Sequence, residues 1–547
     1  MASTDNSPPS VVLPQGRLLG TTLTDALPCR ITAFLGVPYA LPPVGERRFR
    51  RPVKVPASTD TVDASRYGPA APCKQLLAGV TAPGGYDEDC LTANIFLRES
   101  EAAKSPSPKP VAIVIHGGAF NRGTSSMHNT ASMVAWSEKD FIGVSFNYRL
   151  GALGFLPSSV TAKEGVLNLG LRDQVLLMEW VQENIGRFGG DPGNVTLIGL
   201  SAGAHAIGHH MMSLRQNEPP LFHRAVMESG SPTSRAVRPY NAPIHEQQFK
   251  DFLQEAGCPA HLGEDEILPF LRTVSSKTIT DAQNRVFDKY NPSLAWAFQP
   301  VIDGDIIPRP PIETWRLGAW ARVPVITGFS RNEGSLYVNK QMSRSSEFTD
   351  FFRNLLPLLP ESDITAIDEL YPDPAQHKHS PYQETRAGVG EQYKRLEAAY
   401  AHYAYVAPAR QSAEEIAADH SVPVYVYQWA AVSSVNGGAQ HGDNMRYETC
   451  DPDKWAVSDS HQKLSQTFHA YITSFITTGS PDGIQGRCND RPRWEPYDSQ
   501  NPKAMLFGEG EETLVGGGAG IAAQCVADEW GRKECEFWWS RVKLSQQ

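Results

Sequence analysis

Five runs of β-branched and apolar residues set the rhythm of the chain: Val111–Ile115, Phe141–Phe146, Val195–Ile198, Val323–Thr327 and Val422–Tyr427. Each is followed by a glycine-rich turn or a helical pattern. The runs are continuous rather than alternating, which marks strands covered on both faces. Such strands occur in mostly parallel sheets whose crossovers are helices. Between the second and third runs, Leu171–Ile185 carries Val175, Leu176, Met178, Trp180 and Val181 on one side of a helix. The pattern predicts an α/β fold with a mostly parallel central sheet flanked by helices. No internal repeat or long linker breaks it, so residues 11–547 are expected to form a single domain behind a flexible tail of residues 1–10. Glu347–Leu370 and Glu391–Asp419 are helical in composition and read as insertions, a helical subdomain over residues 335–420.

Composition narrows the function classes. Of the 547 residues, 41% are hydrophobic and 20% charged, the balance of a soluble globular protein. A net charge of -10 argues against a nucleic-acid partner. No apolar run reaches the ~20 residues of a membrane span, so no membrane association is expected. The segment Met1–Ser10 has neither the basic nor the apolar region of a signal peptide, which leads to the expectation of a cytoplasmic protein. Eight cysteines occur without a CxxC pair or zinc-ligand spacing, so neither a metal nor another cofactor is expected.

The sharpest local signal is Gly199-Leu200-Ser201-Ala202-Gly203, set between the run Val195–Ile198 and a helix-compatible stretch from Ala204. A G-x-S-x-G at a strand-to-helix turn holds a serine oxygen up to the substrate, and the small residues let the turn close. The second signal is His116-Gly117-Gly118-Ala119-Phe120, directly after Val111–Ile115. A glycine-rich loop there can present backbone N–H groups to a developing oxyanion.

With these two, further stretches make the sequence recognisable: Phe34–Ala40, Glu88-Asp-Cys-Leu91, Asn147–Gly151, Asn168–Gln174 and Phe188–Asn194. The chain resembles the type-B carboxylesterase/lipase family, the cholinesterase-like branch of the α/β-hydrolase fold, over nearly its whole length. The resemblance implies a serine carboxylic-ester hydrolase that works through an acyl-enzyme on small to medium soluble esters. The triad order Ser, Glu/Asp, His is met by Ser201, by Glu333 in Gly328–Gly334, and by His441 in Gln440-His-Gly-Asp443. The oxyanion donors carry over to the N–H groups of Gly118, Ala119 and Ala202. Cys73 and Cys90 match a disulfide of secreted relatives, whereas Phe270 stands where the partner of Cys258 is expected.

Three departures qualify the resemblance. Leu200 replaces the usual Glu beside the nucleophile, Ala119 replaces the third glycine of the oxyanion loop, and Val80–Asp89 lacks the tryptophan with which cholinesterases hold a quaternary ammonium. Asp303-Gly304-Asp305 is a competing acidic cluster that reads better as a turn. Two other functions compete: an acyltransferase or lactonase of specialised metabolism using the same triad, and a non-catalytic binding relative. All three triad candidates are present, which counts against the latter.

Overall fold

A computed structural model describes residues 7–77, 80–99, 107–213 and 220–547. Its strands, in chain order, are β1 Ser10–Leu13, β2 Gly16–Leu19, β3 Thr21–Leu23, β4 Ile31–Pro38, β5 Thr61–Asp63, β6 Thr92–Arg98, β7 Lys109–Ile115, β8 Ile142–Phe146, β9 Gly190–Leu200, β10 Arg224–Glu228, β11 Val325–Ser330, β12 Val424–Trp429, β13 Lys503–Glu509 and β14 Ile521–Ala527. Eleven of them form one sheet in the order β14-β13-β12-β11-β10-β9-β7-β8-β6-β4-β3. From β8 through β13 every neighbouring pair is parallel, and antiparallel strands close both edges. This is the α/β-hydrolase arrangement.

The continuous apolar runs are explained by where successive side chains go. Along β7, Val111, Ile113 and Ile115 pack in one core layer with Val195 and Leu197 of β9. Ala112 and Val114 point the other way, into a second layer with Ile198 and Val226. The helix Leu169–Asn184 covers the first face through Leu171, Leu177 and Val181, and the helix Asp459–Thr478 covers the second through Phe468, Ile472 and Phe475. A sheet dry on both sides leaves no position for alternation.

Charged residues of the recognised motifs are buried in pairs. Arg48 donates to Glu88 at 2.6 and 2.7 Å, and Arg149 grips Asp173 with bonds of 2.6 and 2.8 Å. Breaking one side of such a pair strands a charge away from water. Arg48 also donates to the carbonyls of Leu271 and Arg272, and Arg149 to that of Arg50, so the pairs tie separate loops together.

The helical composition near the C-terminal half is realised as Ser345–Leu355, Glu361–Leu370, Tyr393–Ala401 and Ala407–Asp419. Phe348, Phe352, Tyr371 and Leu396 give these helices a core layer of their own, joined by Trp538. Three further helices between β10 and β11, Pro243–Glu255, Glu264–Thr273 and Ser276–Tyr290, are not marked in the sequence reading. Of the expected tail, residues 1–6 lie outside the described residues, and Ser10 already pairs with Leu19 in β1–β2.

Candidate active site

Ser201 sits where β9 gives way to the helix Ala202–Met211, at φ 57° and ψ -123°. That conformation is strained for a residue with a Cβ, and it turns the side chain out of the sheet. Its N–H donates to the carbonyl of Glu228 at 2.9 Å. The turn closes only with small neighbours: a Cβ on Gly203 would lie 2.0 Å from the carbonyl oxygen of Ile115.

Glu333 opens the loop after β11 and is fully buried. Its Oε1 accepts the Ser330 N–H at 2.6 Å, and its Oε2 contacts Nδ1 of His441. Asn332 clamps the acid loop to the histidine loop: its N–H donates to Ala439 O at 2.9 Å, and its Oδ1 accepts the Ala439 N–H at 3.0 Å. The other ring nitrogen of His441, Nε2, has no partner among the described residues. Next to it, a Cβ on Gly442 would come within 3.0 Å of Leu200, so the histidine loop rests on the nucleophile turn. The departure from Glu to Leu200 therefore supplies an apolar seat for that loop.

The loop after β7 adds the third component. Gly118, Ala119 and Phe120 all have positive φ, at 115°, 55° and 59°. The carbonyl of Ala119 accepts Asn121 Nδ2 at 2.9 Å and Gln299 Nε2 at 3.0 Å, and the carbonyl of Gly118 accepts two backbone N–H groups. With the carbonyls tied back, the N–H groups face the other way. Among the described residues, those of Gly118, Ala119 and Ala202 donate to no protein group. Alanine in the left-handed region costs more than the glycine it replaces, and the two side-chain amides hold it there.

Asp305 stands apart from this site. It is exposed and paired with Arg172 at 2.7 Å, while Asp303 Oδ1 accepts the N–H groups of Asp305 and Ile307 and closes the turn.

The chain matches the model of the carboxylesterase family over residues 7–538. The chain belongs to the carboxylesterase family. It is 32% identical over 531 residues to Secreted lipase 4 of Gibberella zeae, covering 96% of this chain and 91% of that one. It is 30% identical over 393 residues to the secreted triacylglycerol lipase LIP1 of the same organism, covering 66% and 64%. The crystal structure of EstA from Aspergillus niger superimposes with a TM-score of 0.83 at 25% identity, covering 100% of both chains. The protein is accordingly a carboxylic ester hydrolase with small-molecule ester substrates.

One expectation is corrected. A cytoplasmic location does not stand, because two of the relatives, Secreted lipase 4 and the secreted triacylglycerol lipase LIP1, are by name secreted proteins. The character of residues 1–10 speaks to leader chemistry and carries no information on compartment. Cys73 and Cys90, the residues that match a disulfide of secreted relatives, are both buried free thiols in this structure. They have different surroundings, Cys73 beside Gly123 and Arg122, and Cys90 against the Arg149–Asp173 pair. Burial pushes the Cys73 thiol up to about 11 and that of Cys90 well above its ordinary value.

Several residues of the site carry no local signal in the sequence. Tyr337 and Tyr405 pack against the His441 ring with centroids 5.3 and 4.7 Å away. Tyr405 lies in a π-helical turn, His402–Val406, an irregularity that recurs at functional sites. His205, one helical turn after Ser201, is buried and held neutral, its pKa driven well below 6.5 by burial. Ser229, by contrast, does carry a signal, because Glu228-Ser-Gly-Ser-Pro232 matches a family serine close to the histidine; it is fully buried, its hydroxyl has no partner among the described residues, and its N–H donates to Gly328 O at 2.8 Å.

Behind the nucleophile turn lies a buried carboxyl pair, Glu228 and Glu448. Burial raises both, and each interacts with the other, so the pair holds a proton in neutral solution. Asn444 Nδ2 donates to Glu228 at 2.9 Å, and His128 Nε2 lies 3.1 Å from Glu448. A third carboxyl, Glu397, accepts from Asn332 at 3.3 Å, and burial pushes it up to about 8.

Glu397 yields a stability prediction with a definite sign. Between the unfolded carboxyl value and about 8 the native protein holds a proton that the unfolded chain has released. Its contribution is therefore complete below about pH 4.3 and is lost as pH rises through 8. Glu397→Gln is expected to flatten the fall in unfolding free energy over pH 5–8, by up to about 1.4 kcal/mol per pH unit. Denaturant titrations of both proteins at pH 5, 6.5 and 8 check this. Parallel pH profiles would refute it.

Proposed function

We propose that this carboxylesterase hydrolyses small to medium soluble esters through an acyl-enzyme on Ser201, with His441 as general base and Glu333 as the triad acid. The observation that carries the reading is the contact between Glu333 Oε2 and His441 Nδ1 on a loop seated against the nucleophile turn. That contact fixes the imidazole tautomer, so the lone pair lies on Nε2, the nitrogen left without a partner.

His441 Nε2 takes the Ser201 proton as the oxygen attacks the ester carbonyl, and Glu333 stabilises the imidazolium. The N–H groups of Gly118, Ala119 and Ala202 receive the oxyanion, and each such donor typically lowers the barrier by about 3–4 kcal/mol. His441 returns the proton to the leaving alcohol. Water then repeats the attack and frees the acid. We take residues 11–547 as one catalytic domain, in which the helices of residues 335–420 form a subdomain that brings Tyr337 and Tyr405 against His441.

The preference for soluble esters rests on the segment Lys74–Asp89. A lipase lid needs a long apolar helical face to meet an oil surface. The apolar cluster here is Leu76, Leu77, Ala78 and Val80, followed by Pro83-Gly84-Gly85. Ala78 lies outside the described residues, and the described part of the segment contains no helix. Leu76 packs on the core, which leaves Leu77 as the exposed leucine. Rates on tributyrin measured across its solubility limit test this. They are expected to level off as the solution saturates, and a sharp rise once droplets form would overturn it.

A further inference from the structure

A small cavity beside the site carries a charge that the ester chemistry above does not use. Its walls include Arg235, Arg238, His245, Trp296, Gln299 and Tyr400, with no carboxylate among the lining residues. It adjoins the reacting groups from two sides. Gln299 Nε2 donates to the carbonyl of Ala119 in the oxyanion loop at 3.0 Å. Tyr337 and Tyr405, whose rings pack on His441, flank the Arg235 guanidinium, with centroids 5.4 and 5.5 Å from its Cζ.

Arg235 is held in place without being neutralised. Its Cζ lies 3.8 Å from the ring centroid of Trp296, and a terminal N–H donates to the Tyr405 hydroxyl. Its Nε is buried and has no partner among the described residues. The groups that favour its charge are the phenols Tyr400, Tyr405 and Tyr337, and no acid is among them. Arg238 is likewise unmatched: its Nε donates to the neutral side chain of Gln546 at 2.7 Å. Among the described residues, neither arginine forms an ion pair with a carboxylate. His245, on the same wall, is held neutral, with burial lowering its pKa to about 4.

The backbone points the same way. Arg235 has φ 66°, a conformation that residues with side chains rarely adopt and that clusters at ligand sites. Two half-buried guanidinium groups without a carboxylate partner stand out in a fold that elsewhere pairs its buried arginines with Glu88 and Asp173. In a chain with a net charge of -10, this is a local reversal of sign. A guanidinium fork matches a carboxylate two oxygens at a time.

We propose that this cavity receives a carboxylate of the substrate, so that the preferred esters carry a second, ionised carboxyl group a few atoms from the scissile carbonyl. The proposal rests on the Ser201 reading and adds the substrate class to it. Arg235 and Arg238 would act on binding and orientation, while the bonds made and broken remain those of ester hydrolysis.

The test compares esters matched in size and differing in charge. On the acyl side, the 4-nitrophenyl monoester of glutaric acid is set against 4-nitrophenyl valerate. On the alcohol side, the butyrate ester of 4-hydroxybenzoate is set against phenyl butyrate. In the wild type, kcat/KM is expected to favour the anionic member of one pair by about 10- to 100-fold, the range of a charge-assisted hydrogen bond, and that pair identifies the side. Arg235→Met is expected to bring that ratio close to one. A fold defect would lower both members together and leave the ratio in place. The wild type also provides a reading without a variant: free glutarate is expected to inhibit valerate ester hydrolysis at a concentration at least tenfold below that of free valerate. Wild-type ratios at or below one in both pairs, with the neutral esters still turned over, would overturn the carboxylate proposal and leave the Ser201 reading intact. Failure to turn over any of the four esters would sink the Ser201 reading, and the proposal with it.

Discussion

Ser201→Ala is expected to lose about five to six orders of magnitude in kcat on 4-nitrophenyl acetate, the loss typical of removing a triad nucleophile. The oxygen removed is the atom that would carry the acyl group, and no other hydroxyl replaces it. Ser229, the nearest serine on a neighbouring strand end, is fully buried. The fold is expected to survive. The turn is fixed by the backbone bond from residue 201 to Glu228 O and by the close packing of Gly203 on Ile115, neither of which involves the hydroxyl. Residual catalysis would come from the oxyanion donors of Gly118, Ala119 and Ala202, which persist in the variant. Steady-state kinetics paired with far-UV circular dichroism check both halves. Retention of more than about a hundredth of wild-type turnover in a folded variant would contradict the assignment.

Glu333→Gln is expected to cost about four orders of magnitude in kcat, as exchange of a triad acid for its amide does elsewhere. In the proposed mechanism the carboxylate does two things at once. Its Oε2 accepts the proton on His441 Nδ1, which leaves Nε2 basic toward Ser201, and its charge steadies the imidazolium. A glutamine of the same shape can present its amide N–H to Nδ1, turning the imidazole into the wrong tautomer and removing the counter-charge. Asp305→Asn, by contrast, is expected to change kcat less than about twofold. Asp305 is exposed, pairs with Arg172, and belongs to a turn closed by Asp303. Measuring the two variants side by side on one soluble ester separates the candidate acids, and the reverse ranking would move the triad acid to Asp305.

How much of this could be read in the sequence depends on how local each cause is. The nucleophile turn is legible because its physics is local: Gly199 and Gly203 flank Ser201 within five residues, and the strand and helix on either side have their own periodicity. The central strands are legible for the same reason, since side chains buried on both faces leave uninterrupted apolar runs. Edge strands such as β3, β5 and β14 are not, because few of their side chains are buried and their patterns merge with those of loops. The helices Pro243–Glu255, Glu264–Thr273 and Ser276–Tyr290 bury narrow faces and expose polar ones, so their composition resembles that of connecting segments.

Site residues that act through long-range packing left no sequence signal at all. Tyr405 meets His441 from a π-helical turn in the helical insertion, and Arg235 meets Trp296 across 61 positions of chain. Glu228 and Glu448 become a proton-sharing pair only once β10 and the segment after His441 converge. The cysteines are legible only as positions: Cys73 and Cys90 match a disulfide of secreted relatives, and their surroundings, Arg122 for the one and the Arg149–Asp173 pair for the other, follow from the fold.

The central claim is that Ser201 becomes covalently acylated with the help of His441 and Glu333. Its most direct test is to treat the intact protein with an alkyl fluorophosphonate, which traps only a serine that a base has activated, and to locate the adduct by peptide mass spectrometry. The account predicts one stoichiometric adduct on the peptide containing Gly199–Gly203, assigned to Ser201, and strongly slowed labelling in His441→Ala. An adduct on any other residue, or labelling at Ser201 that proceeds equally fast without His441, would contradict it.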